Sequence, residues 1–323
     1  MLLNLILRRL GQAVPLLLGV VVLNFLLIQM VPGTFLDVMT AERQVTDPAL
    51  IERLRVTYGM DQPASVQLLK YIASVAQLDL GYSYRHNTQV IDVIGAHLPA
   101  TLILMLSALA IAVLVGVAAG IVSSIKVNTW WDTAVSLFAT LCFAAPSFWL
   151  GIMLIVLFAV KLGWFPVGGM VTIGLDGGLW QQTLDVLHHL ALPAITLGLF
   201  YSASYARVMR ASMLEVSRMD YVRTAKAKGL KNVAIVLRHM ARNAVLPIVT
   251  LLGLQLGAVL GGSIVVEAVF SWPGIGSVLF DSVMSRNYPV VLGILVLSSA
   301  VVILANIAVD ILYARLDPRI KAL

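Results

Sequence analysis

Few residues in this chain have the type and spacing for chemistry. His188 and His189 are adjacent, and neighbours on a helix point about 100° apart, so they make a poor pair of metal ligands. They read as interfacial side chains. The single cysteine, Cys142, sits in an apolar run. It forbids an internal disulfide and reads as a small packing residue. There is no His-Glu-x-x-His, no Gly-x-Ser-x-Gly and no Gly-x-x-x-x-Gly-Lys-Ser/Thr, so neither metal, nucleophile nor nucleotide chemistry is expected. No cofactor is expected and no residue is assigned as catalytic. What remains is polar but not catalytic: Gln255, Ser263 and Asn306 deep in apolar segments, Glu267 and Asp310 near helix ends, and eight Lys/Arg between Met209 and Pro247.

The elements that position these groups follow from composition. Of the 323 residues, 60% are hydrophobic and 12% charged, and mean hydropathy is +0.94. A soluble domain carries about 25% charged residues, so lipid must be the solvent for much of this chain. The net charge of +6 is sorted along the chain rather than gathered beside aromatics, which argues against a nucleic-acid partner. Runs of about 20 apolar residues mark membrane spans. They fall at Leu10–Val31, Pro99–Ile125, Thr133–Val160, Leu190–Ala206, Val245–Val266 and Val290–Val309. The first is longer than a signal-peptide core and no small-residue cleavage site follows, so it reads as an uncleaved anchor. Pro99 suits a helix's first turn, Pro146 a kink. The fourth span is short, with room to extend upstream or into the basic segment.

Six spans put both termini on one side. That side carries Arg8, Arg9, Lys126, Arg207, the eight basic residues Arg210, Arg218, Arg223, Lys226, Lys228, Lys231, Arg238 and Arg242, and Arg315, Arg319 and Lys321. An excess of this size places both termini in the cytoplasm. The outer side holds Asp37, Glu42, Asp47, Glu52, Asp61, Asp79 and Asp92. Between the first two spans, residues 48–58 and Val66–Leu78 have helical spacing, which predicts a small helical cap. The expected division is 1–98, an anchor helix with the outer segment, and 99–323, a five-helix core whose cytoplasmic loop covers 210–243.

The basic loop reads as two short helices split at Gly229. Ser217 or Asp220 can cap a helix Tyr221–Lys228, Gly229 can end it in the left-handed conformation, and Lys226 and Lys228 favour its C-terminal dipole. A second helix, about Val233–Arg242, leads into Pro247. Such an elbow serves either a soluble partner or the anionic lipid surface. Gly253, Gly257 and Gly261, spaced by four, line one face of the fifth span, and Gly116 and Gly120 do so in the second. Either pattern serves close helix packing or a smooth face for gating. Gln255, Ser263 and Asn306 are candidate pathway residues. No Asp, Glu, Lys or Arg sits in mid-span, so a coupling ion has no obvious site. A self-sufficient carrier and a membrane scaffold are the competing classes.

The segment Asp220-Tyr221-Val222-Arg223-Thr224-Ala225-Lys226-Ala227-Lys228-Gly229-Leu230, followed by Arg238-His239 and Arg242-Asn243-Ala244-Val245-Leu246-Pro247, resembles the coupling loop of ABC-importer permeases, dipeptide/oligopeptide/nickel branch. Arg223-Thr224-Ala225-x-x-x-Gly229 stands where that family has Glu-Ala-Ala-x-x-x-Gly, departing at two positions. Gly59-Met60-Asp61-Gln62-Pro63, Asp79-Leu80-Gly81-Tyr82-Ser83, Leu98-Pro99-Ala100-Thr101, Phe165-Pro166-Val167-Gly168-Gly169, Phe270-Ser271-Trp272-Pro273-Gly274-Ile275-Gly276 and Arg286-Asn287-Tyr288-Pro289 extend the resemblance along the chain, as do Asp310, Tyr313 and Asp317-Pro318-Arg319-Ile320. Pro32-Gly33-Thr34 and Asn287 each lack an acid usual in the family.

The resemblance implies an all-α, polytopic type I ABC-importer permease with six transmembrane helices and cytoplasmic coupling helices, in a bacterial inner membrane. It implies as partners a homologous second permease, two cytoplasmic ATP-binding subunits, a substrate-binding protein outside and membrane lipid. Cargo would be a peptide, with a nickel chelate or glutathione-like solute as alternatives. Tyr221, Arg223, Thr224, Ala225, Lys226, Lys228, Gly229 and Leu230 would be the docking element, Ala225 and Gly229 giving close fit and the basic residues steering.

Overall fold

The computed structural model describes residues 2–30, 56, 61–83, 85–175, 177–257 and 263–316. The helix expected over 48–58, the motifs at 32–34 and 59–60, Gly261 and residues 317–323 lie outside that set, as do the side chains of Gly257, Asp310 and Tyr313. In chain order the elements are α1 (Leu2–Met30), α2 (Ala64–Ala76), β1 (Tyr82–Ser83), β2 (Thr88–Gln89), α3 (Val90–Ile125), α4 (Trp130–Ala144), α5 (Ser147–Lys161), α6 (Leu179–Ser217), α7 (Asp220–Ala227), α8 (Asn232–Ala244), α9 (Leu246–Gly257), α10 (Ile264–Val269), α11 (Ile275–Met284) and α12 (Tyr288–Leu316). Among the described residues, four helices are long and apolar enough to cross a membrane, or up to six spans if the bent pairs α4–α5 and α8–α9 each count as one. Unbroken helices suit a lipid solvent because each backbone donor meets an acceptor within its own segment.

The chain forms two compact units. One comprises residues 1–99 and 278–307, the other 100–277 and 308–323. In the first, α1 packs on α2: Phe25 meets Tyr71 with ring centroids 6.3 Å apart, and Gln29 donates to Gln67 at 3.3 Å. Asn24, buried in the α1 face, donates to the Leu292 carbonyl of α12 at 3.4 Å. The two-residue strands pair antiparallel, Tyr82 opposite Gln89 and Ser83 opposite Thr88. This hairpin is absent from the all-α expectation. Its runs are too short for a period-2 signal, and its tight turn uses Asn87 at φ 52°.

The second unit is built on α6. The predicted fourth span covered 17 residues in its middle, whereas the helix runs for 39, because buried apolar residues continue on one face through Met209, Met213 and Val216. Pro99 lies inside α3 rather than in its first turn. Pro146 does more than kink the third span: α4 and α5 meet at 105°. Ala145 is extended and the chain leaves helical geometry there, as the residue before a proline tends to. The second half of α5, Ile155–Lys161, is wound as a π-helix.

Candidate functional site

Two constructions in the second unit bear on function, one of them the basic elbow. Its first helix, α7, has two faces. Val222 and Ala225 are buried, while Tyr221, Arg223, Thr224, Lys226 and Lys228 are exposed, as are Gly229 and Leu230 beyond it. Three-residue spacing puts Val222 and Ala225 on one stripe. That stripe enters a core with Met209, Met213 and Val216 of α6, Ile235, Met240 and Ala244 of α8, and Ile248 of α9. Ala225, expected on the docking face, is therefore on the inward face. Its small side chain lets the helix lie close to its own protein.

The end of α7 behaves as its sequence predicts. Gly229 has φ +72°. Its N–H donates to the Lys226 carbonyl at 3.0 Å, and the Leu230 N–H reaches back to the Ala225 carbonyl at 3.3 Å. This is the Schellman closure, which needs a left-handed residue. The start differs from expectation. The N-cap is Met219, without a side-chain cap bond. Ser217 donates instead to the Leu214 carbonyl at 2.7 Å, within α6, and Asp220 lies inside the first turn, with Arg223 3.6 Å away. The Asn243 amide of α8 donates to the Tyr221 hydroxyl at 3.0 Å. One residue after Ala244, the chain bends by 45° into α9. The hydrogen bond thus ties the two elbow helices together, and packing against Ile248 joins them to the predicted fifth span.

Beside it lies an ion pair that sequence reasoning missed. Asp132, buried at the start of α4, accepts from Arg210 Nε at 2.8 Å and Nη2 at 2.9 Å. It also accepts from the Ser123 hydroxyl and from the Asn128 N–H at 3.1 Å. The forked geometry is the strong form of a charge-assisted bond. It ties α6 to the α3–α4 turn. The only sequence hint was a lone acid beside an apolar run.

The other construction surrounds Glu267, which sequence placed merely near a helix end. It is wholly buried. Oε1 accepts from Thr101 Oγ1 at 2.8 Å and from Ser263 Oγ at 2.7 Å. Oε2 accepts from the Ser277 N–H at 3.0 Å. Thr101 in turn accepts from the Ile275 N–H at 2.8 Å, and Trp272 Nε1 donates to the Ala100 carbonyl at 2.9 Å. A Cβ on Gly274 would overlap the Glu267 carboxylate, and one on Gly276 would lie 2.8 Å from Oε2. The segment Phe270–Gly276 therefore wraps a buried carboxylate and needs glycine where it passes. Phe270 also accepts the Gly169 N–H at 2.8 Å, which joins the Phe165–Gly169 motif to the same cluster.

The other predicted residues are dispersed. Ser263 is fully buried and spends its hydroxyl on Glu267, so it faces no pathway. Gln255 is half-buried and its Oε1 accepts from Tyr205 at 2.9 Å. Asn306 is exposed on α12. Gly116 and Gly120 face α6: a Cβ at Gly116 would lie 2.5 Å from the Tyr205 Cβ, and one at Gly120 2.7 Å from the Ala206 carbonyl. Gly253 is buried. His188 is exposed and His189 buried, each bonded to a backbone carbonyl, of Trp164 at 2.7 Å and Asp185 at 2.9 Å. Among the described residues, no group of three or more His, Cys, Asp or Glu could hold a metal ion.

Known proteins share this sequence over its length. A peptide permease protein of Brucella suis is 40% identical over 98% of both chains. The oligopeptide transport system permease protein AppB of Bacillus subtilis is 38% identical over 98% of both. The di/tripeptide transport system permease protein DppB of Pseudomonas aeruginosa is 41% identical over 99% of both. An amino acid ABC transporter crystallised with histidines shares the fold, with TM-score 0.52 at 16% identity, covering 70% of this chain and 94% of that one. The N-terminal pattern of binding-protein-dependent transport system membrane components matches residues 1–105. The main pattern, "Binding-protein-dependent transport system inner membrane component", matches residues 112–322. With up to six candidate spans among the described residues and an elbow packed on α6 and α9, this chain belongs to that family of transport-system membrane components.

Proposed function

We propose that this chain is one of two permease subunits of an ATP-driven importer for peptides, seated in a bacterial inner membrane with both termini in the cytoplasm. The excess of Lys/Arg on the elbow side supports that orientation. The relatives' names support peptide cargo. A homologous permease would complete the pathway, and a binding protein would deliver cargo from outside.

The observation that carries the mechanism is the two-faced helix α7. Its outer face offers Tyr221, Arg223, Thr224, Lys226 and Lys228, followed by Gly229 and Leu230. Its inner face is fastened by Val222 and Ala225 to α6, α8 and α9. A short helix with basic side chains suits an acidic groove on a soluble ATPase, with charge steering the encounter. Interiors are close-packed and transmit displacement. Closure of two ATPases on ATP would move α7, then α8 and α9, and open the pathway outward; hydrolysis would reset it. Two seats exist in the assembled transporter, one on each permease. Gln255 and Asn306 are the proposed pathway-facing polar groups, and Gly253, Gly257 and Gly261 a close-approach face on the moving span.

The test is purification of the tagged chain from gently solubilised membranes, followed by an ATPase assay. Co-purification of a second permease and ATPase subunits, with ATP-dependent peptide uptake after reconstitution, is expected. An ATP-inert homo-oligomer that passes solute in liposomes would replace this reading with a self-sufficient carrier.

A further inference from the structure

The β1–β2 turn and the end of α11 border an open hollow of about 570 Å³, lined by Arg85, His86, Asp281, Ser282, Met284 and Ser285. Its size falls in the range of small-ligand sites, roughly 300–1,000 Å³. It shares no residue with the elbow or the Glu267 cluster. In the proposed topology it lies on the outer side.

The polarity of the hollow is set from beneath. The Ser83 hydroxyl accepts from the Asn287 amide at 2.8 Å and from the His86 N–H at 3.3 Å. Its own proton therefore goes to His86 Nδ1, 3.0 Å away. A neutral imidazole accepting at Nδ1 carries its proton on Nε2, so His86 is a donor at that atom. Arg85 beside it is exposed, and no carboxylate pairs with it among the described residues. Ser282 is buried at 1% exposure, and its hydroxyl has no hydrogen-bond partner among the described residues. A buried unpartnered hydroxyl costs free energy until something meets it. Asp281 is the one acid of the lining, exposed like the apolar Met284.

We propose that this hollow binds the carboxyl end of a short peptide. Arg85 and His86 Nε2 donate to the terminal carboxylate, and Ser282 supplies a further hydroxyl. Asp281 accepts from an N–H or ammonium of the same peptide, and Met284 lies against a side chain. Two donors opposite one acid match a zwitterion rather than a simple anion or cation. The site rests on the importer reading and names a specific cargo contact within it.

The test uses the complete transporter in proteoliposomes with its binding protein saturating, and alanine peptides from dialanine to penta-alanine, each also as the C-terminal amide. Arg85→Gln removes an exposed charge without disturbing a core. It should raise the half-saturating concentration of free-acid peptide about tenfold, the scale of one charge-assisted bond, with the maximal rate kept. The amides should not distinguish Arg85→Gln from wild type. Equal half-saturation for the free acids would overturn the proposal while wild-type uptake still upholds the importer. A shift only in the half-saturating concentration of binding protein would also overturn it, making the hollow a protein contact. Absence of uptake of every peptide by wild type would remove the importer reading, and the site with it.

Discussion

Thr101 and Glu267, 166 residues apart, meet side chain to side chain in a fully buried hydrogen bond of 2.8 Å. Thr101 is on α3 and Glu267 on α10, so the bond fixes α10 to α3, while Trp272 and Ile275 hold the Phe270–Gly276 segment to Ala100 and Thr101. Glu267→Ala would leave the Thr101 and Ser263 hydroxyls and the Ser277 N–H without their acceptor. Each buried orphan costs about 1–3 kcal/mol, so a loss of about 3 kcal/mol or more is expected. Glu267→Gln should cost less, because its carbonyl oxygen can still accept from Thr101 and Ser263. Thermal unfolding in detergent checks the order wild type, Gln, Ala. An Ala variant as stable as wild type would contradict this role.

The end of α7 separates backbone geometry from bulk. No atom lies within 4 Å of a Cβ built on Gly229, so a side chain has room, but φ +72° disfavours β-branched residues. Gly229→Asn should retain coupled transport, since Asn tolerates the left-handed region. Gly229→Val should insert normally yet lose most uptake per ATP hydrolysed. Parallel uptake and ATPase assays read this. Equal coupling in the two variants would contradict it.

The Arg210–Asp132 fork predicts a sign difference between single and paired changes. Arg210→Met leaves a buried carboxylate without its cation; breaking a fully buried pair costs about 3–5 kcal/mol, and solvent at the 34% exposed Arg210 side chain lowers the expected loss below that. Adding Asp132→Asn should recover part of that loss, because the unpaired charge is removed. A double-mutant cycle on thermal midpoints checks it, and strict additivity would show that the fork contributes no coupling.

The glycines at the α3–α6 contact allow one more test. Gly116→Val or Gly120→Val would force apart backbones that already approach to contact distance. Overpacking of this kind costs about 1–3 kcal/mol. Reduced thermal stability and expression are expected for both, whereas Gly95→Ala, inside α3 and meeting nothing within 4 Å, should be no less stable than wild type and gain up to about 1 kcal/mol. Stable Val variants would mean the two helices separate freely.

The features legible in the sequence are those with a local physical cause. The apolar runs gave the spans, the α2 periodicity gave its helix, and Gly229 with Lys226 and Lys228 gave the end of α7. Resemblance to the family added the proposal that the elbow is a docking element. Features set by distant contacts were not legible. Asp132 and Glu267 look like ordinary helix-end acids until Arg210, Thr101, Ser263 and Ser277 are brought to them. Ala225 reads as a small docking residue, and only tertiary packing shows that it faces inward. Ser217 and Asp220 are both good caps by type, but α6 uses one and the first turn of α7 contains the other. Propensity could not choose between them.

The central claim is that α7 seats an ATPase from the cytoplasm, and site-directed cross-linking tests it most directly. With Cys142→Ser removing the native thiol, Lys226→Cys presents a thiol on the outer face of α7, and Ser285→Cys one at the outer hollow. In the intact transporter, the Lys226→Cys thiol should cross-link to an ATPase subunit and resist a membrane-impermeant maleimide applied outside. The Ser285→Cys thiol should do the opposite. Cross-linking of an ATPase to Ser285→Cys, or external labelling of Lys226→Cys, would contradict both the docking assignment and the orientation on which it depends.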